Sequence, residues 1–341
     1  MKPGELIHGL EPVVKTLFGC PQSLTTDVRA GTVGVWGAPS DWTHSSRIGA
    51  RFGPKALRTE TAAIGRTLRQ SAAGDKWLDP TNGNCWALRS DAGLVDCGDA
   101  QIYPEDVVLT TRSIADGTRD IRAAGGVPLV LGGDHYNSYP ACLGYSEGLA
   151  IRDPNARFGY IHIDGHLDFT DSLGAWGDKN HATNARRISE LSNIDKSHMV
   201  WIGTSGWVDS RELALIESFG GKVLSNSDVH AMGATAVMQA ALHHASRGVD
   251  YLYVTIDIDA MDAAYLPGTG SIVQSGITPR QYQQMLEVLA TTHIDGMDIA
   301  ETAPTLDPSG RSERIVARLL FTLLRNYLME PVTPMMGVSN G

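Results

Sequence analysis

Six side chains of two types fall in three tight groups. His135 closes Gly132-Gly133-Asp134-His135, Asp164, His166 and Asp168 share Asp164-Gly165-His166-Leu167-Asp168, and Asp257 and Asp259 share Asp257-Ile258-Asp259. Imidazole and carboxylate together suit divalent manganese, nickel, iron or zinc. So many carboxylates at one place would repel one another without a cation. Two ions about 3.5–4 Å apart, bridged by shared carboxylates, can hold a hydroxide between them, so the set points to metal-assisted hydrolysis. A lone D-x-D reads more readily as a strand-end cap or salt-bridge partner than as a ligand pair. D-x-H-x-D is more telling, because three ligand types recur with the period of a strand. The three groups in series reinforce one another.

Each group follows an apolar run, and those runs must position it. Strands are predicted at residues 32–37, 94–97, 127–131, 158–163, 199–202, 251–256 and 296–299, with helices at 54–68, 104–123, 184–191, 211–219, 234–246, 279–289 and 312–327. This alternation predicts an α/β fold, a three-layer sandwich with a mainly parallel central sheet. The strands are almost continuously apolar, as strands covered on both faces should be. If the chain stays extended past Ile163, Asp164, His166 and Asp168 project to one side, and Asp257 and Asp259 do likewise after Ile256. Ligands of open α/β sheets gather beyond the carboxyl ends of the strands, so distant groups can converge there. Residues 1–30 read as a helical N-terminal arm, 31–330 as a single domain, 69–92 as a polar loop within it and 331–341 as a poorly ordered tail.

The bulk composition narrows the partners. A formal charge of −10 over 341 residues argues against a nucleic-acid-binding surface. No apolar run approaches the roughly 20 residues that span a bilayer, and the N-terminus lacks a signal-peptide core. Cys20, Cys85, Cys97 and Cys142 are scattered without a C-x-x-C pair, which suits reduced structural thiols in a cytoplasmic protein. His162 lies inside an apolar strand and reads as a packed or hydrogen-bonded core residue. Trp42 and Trp176 fall in loops, and Trp42 is taken as a substrate contact.

The motifs resemble those of the ureohydrolase family of arginases and agmatinases, over roughly residues 30–328. Gly132-Gly133-Asp134-His135 resembles its first ligand motif. Asp164-Gly165-His166-Leu167-Asp168 resembles D-A-H-x-D, with Gly165 for the usual alanine. Thr255 to Asp262, then Pro267-Gly268-Thr269-Gly270, resembles the third signature. Ser46 to Pro54 and Asp298 to Pro304 resemble flanking motifs. The resemblance implies an arginase-like fold and two divalent ions, manganese first and nickel as the alternative. His135, Asp164, Asp168 and Asp257 would hold one ion, and Asp164, His166, Asp257 and Asp259 the other. Glu301 would bind the substrate guanidinium. His181 would shuttle protons with Asp168, although Ala182 follows it where glycine is usual.

The reaction implied is hydrolysis of a guanidino C–N bond to urea and an amine, on a small agmatine-like or guanidino-acid substrate. Guanidine or a biguanide is the alternative, because Asp41-Trp42-Thr43-His44 and Ser271-Ile272-Val273-Gln274 depart from agmatinase patterns. A non-catalytic subunit of a hetero-oligomeric ureohydrolase is a reading of a different class. The family implies a homo-oligomer, a trimer or hexamer.

Overall fold

Runs such as Val127-Pro128-Leu129-Val130-Leu131 and Phe158 to Ile163 are buried at every residue, which only a strand covered on both faces achieves. The computed structural model describes residues 15–70, 76–79, 83–90 and 93–332. Its strands are β1 (Val33–Gly37), β2 (Trp77–Leu78), β3 (Cys85–Leu88), β4 (Leu94–Asp99), β5 (Val127–Leu131), β6 (Phe158–Ile163), β7 (Ile194–Ile202), β8 (Lys222–Leu224), β9 (Tyr251–Asp257), β10 (Gly296–Ala300) and β11 (Met329–Val332). Its helices are α1 (Gly53–Gln70), α2 (Val107–Ala123), α3 (Ser138–Arg152), α4 (Asn184–Ile188), α5 (Ser210–Ser218), α6 (Asn226–Met232), α7 (Ala234–Ala245), α8 (Pro279–Leu289) and α9 (Arg311–Leu328).

Eight strands form one sheet in the order β4-β1-β5-β10-β9-β6-β7-β8. Every neighbouring pair is parallel. Strand alternation divides the core into two layers. Ile161 and Ile163 of β6 and Val254 and Ile256 of β9 face the aliphatic side, with Leu57 of α1, Val237 of α7, Met285 of α8 and Leu320 of α9. Phe158, Tyr160 and Tyr253 face the other side, with Ile114 of α2 and Tyr145 and Leu149 of α3. The predicted three-layer α/β sandwich is thus the observed architecture.

Several boundaries differ from expectation. Residues 15–30 form no long helix. Two 3₁₀ turns, Leu17–Gly19 and Thr25–Asp27, stand there instead, and Leu17 and Phe18 are buried in the aliphatic core. Residues 1–14 lie outside the described residues. The polar stretch 69–92 contains β2 and β3. With β11 they make a three-stranded antiparallel sheet, so Pro331 and Val332 pair with Trp86 and Cys85 and the predicted tail begins too early. Residues 333–341 lie outside the described residues.

The sequence reading also missed α3, α6 and β8. In α3, Gly144 and Gly148 obscure the helical pattern. A Cβ at Gly144 would lie 2.1 Å from the Ala115 carbonyl oxygen, and one at Gly148 would lie 2.6 Å from that of Arg119. These glycines let α2 and α3 pack backbone to backbone. The four cysteines are free, and burial pushes the Cys20 and Cys97 thiols up to about 12.

Candidate metal centre

β5, β10, β9 and β6 are consecutive in the sheet. Being parallel, they end on one rim, and there they deliver His135, Glu301, Asp257 and Asp164 although up to 166 residues of chain separate these groups. The centre of the cluster is His135 Nδ1. It lies 2.9 Å from Asp164 Oδ2, 3.0 Å from Asp168 Oδ2 and 3.0 Å from Asp257 Oδ2, and all four side chains are buried. Yet Nδ1 makes no aligned hydrogen bond. Three carboxylates and an imidazole nitrogen therefore converge on a point rather than on one another, as ligands of a cation do.

A second group adjoins the first. His166 Nδ1 is 3.1 Å from Asp259 Oδ2 and 3.3 Å from Asp164 Oδ1. Asp164 thus presents one oxygen to each histidine, as a carboxylate shared by two ions would. The halves differ in access, because the His135 side chain is 1% exposed and that of His166 is 41% exposed. The donor set fits two divalent ions of the kind that imidazole and carboxylate hold.

Strand alternation does not create this geometry, contrary to expectation. β6 stops at Ile163, and Ile258–Ala260 is a 3₁₀ turn. The carboxylates fold their own backbone instead. Asp164 Oδ1 accepts from His166 N at 2.6 Å, and Asp257 Oδ1 accepts from Asp259 N at 2.7 Å. Asp168 then adopts a left-handed backbone (φ 48°), as does Glu301 (φ 65°). For residues other than glycine this conformation is strained, and the surrounding packing must hold it. Gly165, the departure from alanine, has a packing reason: a Cβ there would lie 2.6 Å from Val273 Cγ1.

A further layer orients the ligands. His135 Nε2 is 3.0 Å from Thr255 Oγ1, whose own hydrogen goes to Asp298 Oδ1 at 2.6 Å. The imidazole therefore donates through Nε2 and turns Nδ1 toward the carboxylates. His162 bridges Tyr160 Oη and Asp164 Oδ2, both at 2.8 Å, and so anchors Asp164 from inside the core. Asn184 Nδ2 donates to Asp168 Oδ2 at 2.6 Å and to the His181 carbonyl at 2.7 Å, tying those two residues together. Thr255 and Asp298 lie inside the motifs without a role read for them, and Asn184 lies outside, because all three act through ligands rather than as ligands.

Electrostatics follow from the crowding. Burial opposes charge on His135, but Asp257 and Asp164 outweigh it and raise its pKa well above the ordinary value. Asp259 raises that of His166. Burial pushes Asp257 up to about 7, with His135 opposing and Asp164 adding to the rise.

Beside the cluster lies a second constellation. Glu301 Oε1 accepts from His135 N at 2.9 Å, while Glu301 Oε2 is buried without a partner. His44 and His181 stack with ring centres 4.3 Å apart and planes 9° apart, and His181 Nε2 is 2.8 Å from Ser45 Oγ. Burial lowers the His181 pKa, against the pull of Asp168 and with help from His44. The loop that carries His44 is tethered by two buried aspartates. Asp134 accepts from Thr43 N at 3.0 Å and Oγ1 at 2.6 Å, and Asp41 accepts from Gly49 N at 2.7 Å. Trp42, on the same loop, is 50% exposed, and the Arg51 guanidinium covers one face of its ring at 3.7 Å. His44 is the residue of this constellation that motif reading missed; its only signal was the unusual loop sequence.

Comparison with known proteins gives one family. A model described as the arginase family matches residues 31–325. A mitochondrial guanidino acid hydrolase of Homo sapiens is 31% identical over 291 residues, covering 84% of this chain and 76% of that protein. A guanidinopropionase of Pseudomonas aeruginosa is 30% identical over 302 residues, covering 88% and 87%. The solved proclavaminate amidino hydrolase of Streptomyces clavuligerus superposes with a TM-score of 0.75 at 26% identity, covering 92% of this chain and 97% of that one.

Proposed function

The chain belongs to the arginase family and is an amidinohydrolase, acting on C–N bonds other than peptide bonds in linear amidines. From that premise we propose that it hydrolyses a guanidino C–N bond to release urea and an amine, with two divalent ions, manganese or nickel, held by His135, Asp164, His166, Asp168, Asp257 and Asp259. The observation that carries this reading is the convergence of three carboxylates on the unbonded His135 Nδ1. When bound, the ions supply the Lewis acidity that makes water a nucleophile near neutral pH.

The protein's own groups do the rest. Glu301 Oε2, buried and unpartnered, accepts N–H bonds from the planar substrate cation and holds its carbon for attack. His181, neutral because burial depresses its pKa, can take a proton and deliver it to the leaving nitrogen. Asp168 shares in that proton transfer, and the Asn184 amide, bonded to Asp168 Oδ2 and to the main-chain carbonyl of His181, holds the two residues in place. The half-exposed Trp42 offers its ring edge to the substrate tail.

A guanidino acid or agmatine-like substrate suits the relatives' names. Trp207, fully exposed, suits burial against another copy in a trimer or hexamer, or against a different subunit. Among the described residues no helix is long and apolar enough to cross a membrane. Free thiols suit a reducing compartment such as the cytoplasm. A urea-release screen over agmatine, guanidinobutyrate, arginine, guanidine and a biguanide, run with manganese and with nickel, tests the function. Protein that releases no urea from any of them by itself, and becomes active only when another subunit is added, would refute a self-sufficient enzyme.

A further inference from the structure

The inference concerns Val273 and rests on the reading that Asp164, His166, Asp257 and Asp259 hold one of two ions. The turn through Gly165 meets the 3₁₀ turn Ile258–Ala260 at Asp259. Gly165 N donates to Asp259 Oδ1 at 3.2 Å, and His166 Nδ1 lies 3.1 Å from Asp259 Oδ2. Val273 is buried beside this junction. A Cβ at Gly165 would lie 2.6 Å from Val273 Cγ1, and 3.2 Å from both the carbonyl oxygen and Oδ1 of Asp259. Glycine leaves room for one side chain there, and Val273 supplies it.

Neither partner can back away. The Gly165 carbonyl accepts from Ser205 N at 2.9 Å, and Asp164 N donates to the Ile202 carbonyl at 2.9 Å, so the end of β7 holds the ligand turn. On the other side Asp262 and Met261 bridge to Val273 and Ile277, and Ala263 N donates to the Val273 carbonyl at 3.1 Å. The loop is also stapled to β7. Ser205 Oγ donates to the Gln274 carbonyl at 3.2 Å, and Asn226 Nδ2 donates to Ser205 Oγ at 3.1 Å and to the Ser275 carbonyl. Ser205 thus bonds the ligand turn through its amide and the loop through its hydroxyl. Between these bonds Ser275 has φ 56°. A left-handed backbone is costly for a residue other than glycine and persists only where its surroundings enforce it. The staples that enforce it also press Val273 onto Gly165.

We propose that Val273 is a positioning residue: packed on Gly165, it sets the gap between the two ligand turns and so the affinity of the ion that His166 and Asp259 would hold. The ion at His135 depends on other supports, Thr255 behind His135 and Asn184 on Asp168. Gly165 in place of alanine and the unusual Ser271-Ile272-Val273-Gln274 are then halves of one device.

Manganese is titrated into the metal-free full chain by calorimetry, and bound metal is counted after desalting; neither readout needs turnover. His166→Ala marks which binding step belongs to the His166 ion. Gly165→Ala forces a Cβ against Val273 and Asp259. It is expected to keep the other ion and bind this one roughly tenfold more weakly. Val273→Ala alone is expected to weaken the same ion by less. In the double variant the added methyl takes the vacated space, and affinity for that ion recovers above that of Gly165→Ala. A Gly165→Ala chain with wild-type affinity, equal weakening of both ions, or a double variant no better than Gly165→Ala would overturn the proposal. If Gly165→Ala does not fold, unchanged affinity in Val273→Ala overturns it alone. A wild-type chain that binds fewer than two ions would sink the two-ion reading itself, whatever the variants show.

Discussion

Two regions meet at the Glu301 carboxylate and are built on different principles. On one side, the ligand-type residues leave adjoining parallel strands, and the register of the sheet with a few carboxylate-to-amide turns sets their places. On the other, residues 40–47 have no regular structure beneath them. That loop is held by side-chain bonds from Thr43 to Asp134 and from Ser46 to the Gly270 turn, and by its own Asp41 folding back on Gly49 and Arg51. The strand-end cluster is therefore tied to the fold and suited to the reaction common to a family. The loop can change with few consequences for the sheet, which makes it the natural place for substrate choice.

The largest test of this contrast strikes the cluster. Asp257→Asn should remove bound metal and lower urea release by on the order of a thousandfold, as loss of several kcal/mol of electrophilic assistance implies. Metal analysis beside the assay checks it, and an active, metal-loaded variant would break the assignment of the cluster. Glu301→Gln stands at the boundary. It should leave metal bound and reduce kcat/KM by roughly a hundredfold, as loss of a charge-assisted bond predicts. Normal turnover in this variant would detach Glu301 from the substrate.

A smaller effect comes from protons. In the metal-free protein His135 and His166 have raised pKa values and hold protons where ions would bind. Metal must displace those protons, so affinity should strengthen as pH rises, by up to about tenfold per unit for each proton released. Titration calorimetry in buffers of different ionisation enthalpy counts the protons. Affinity independent of pH would place the ions elsewhere. The smallest effect belongs to the loop. Thr43→Val deletes the hydroxyl bond to Asp134 and should cost about 1 kcal/mol of stability. It should alter KM while leaving metal content unchanged, and a loss of metal would show that loop and cluster are not separable.

Much of the cluster was legible before the structure, because ligand chemistry is local and apolar strands announce themselves. Strand alternation is nevertheless not what makes it converge. Asp168 reaches His135 through a left-handed backbone, and Asp259 reaches His166 from a 3₁₀ turn, not through an extended strand. Likewise α3 was hidden because Gly144 and Gly148, placed for close packing on α2, look like helix breakers in isolation.

Residue identity and short-range period already carry the donor types, the alternation of strands with helices and metal-assisted hydrolysis as the chemistry. That β10 lies between β5 and β9, setting Glu301 beside His135, and that His44 comes within 3.3 Å of that carboxylate, follows from three-dimensional packing. Strand order and loop placement arise from contacts between residues far apart in the chain, and a local pattern is compatible with many such arrangements.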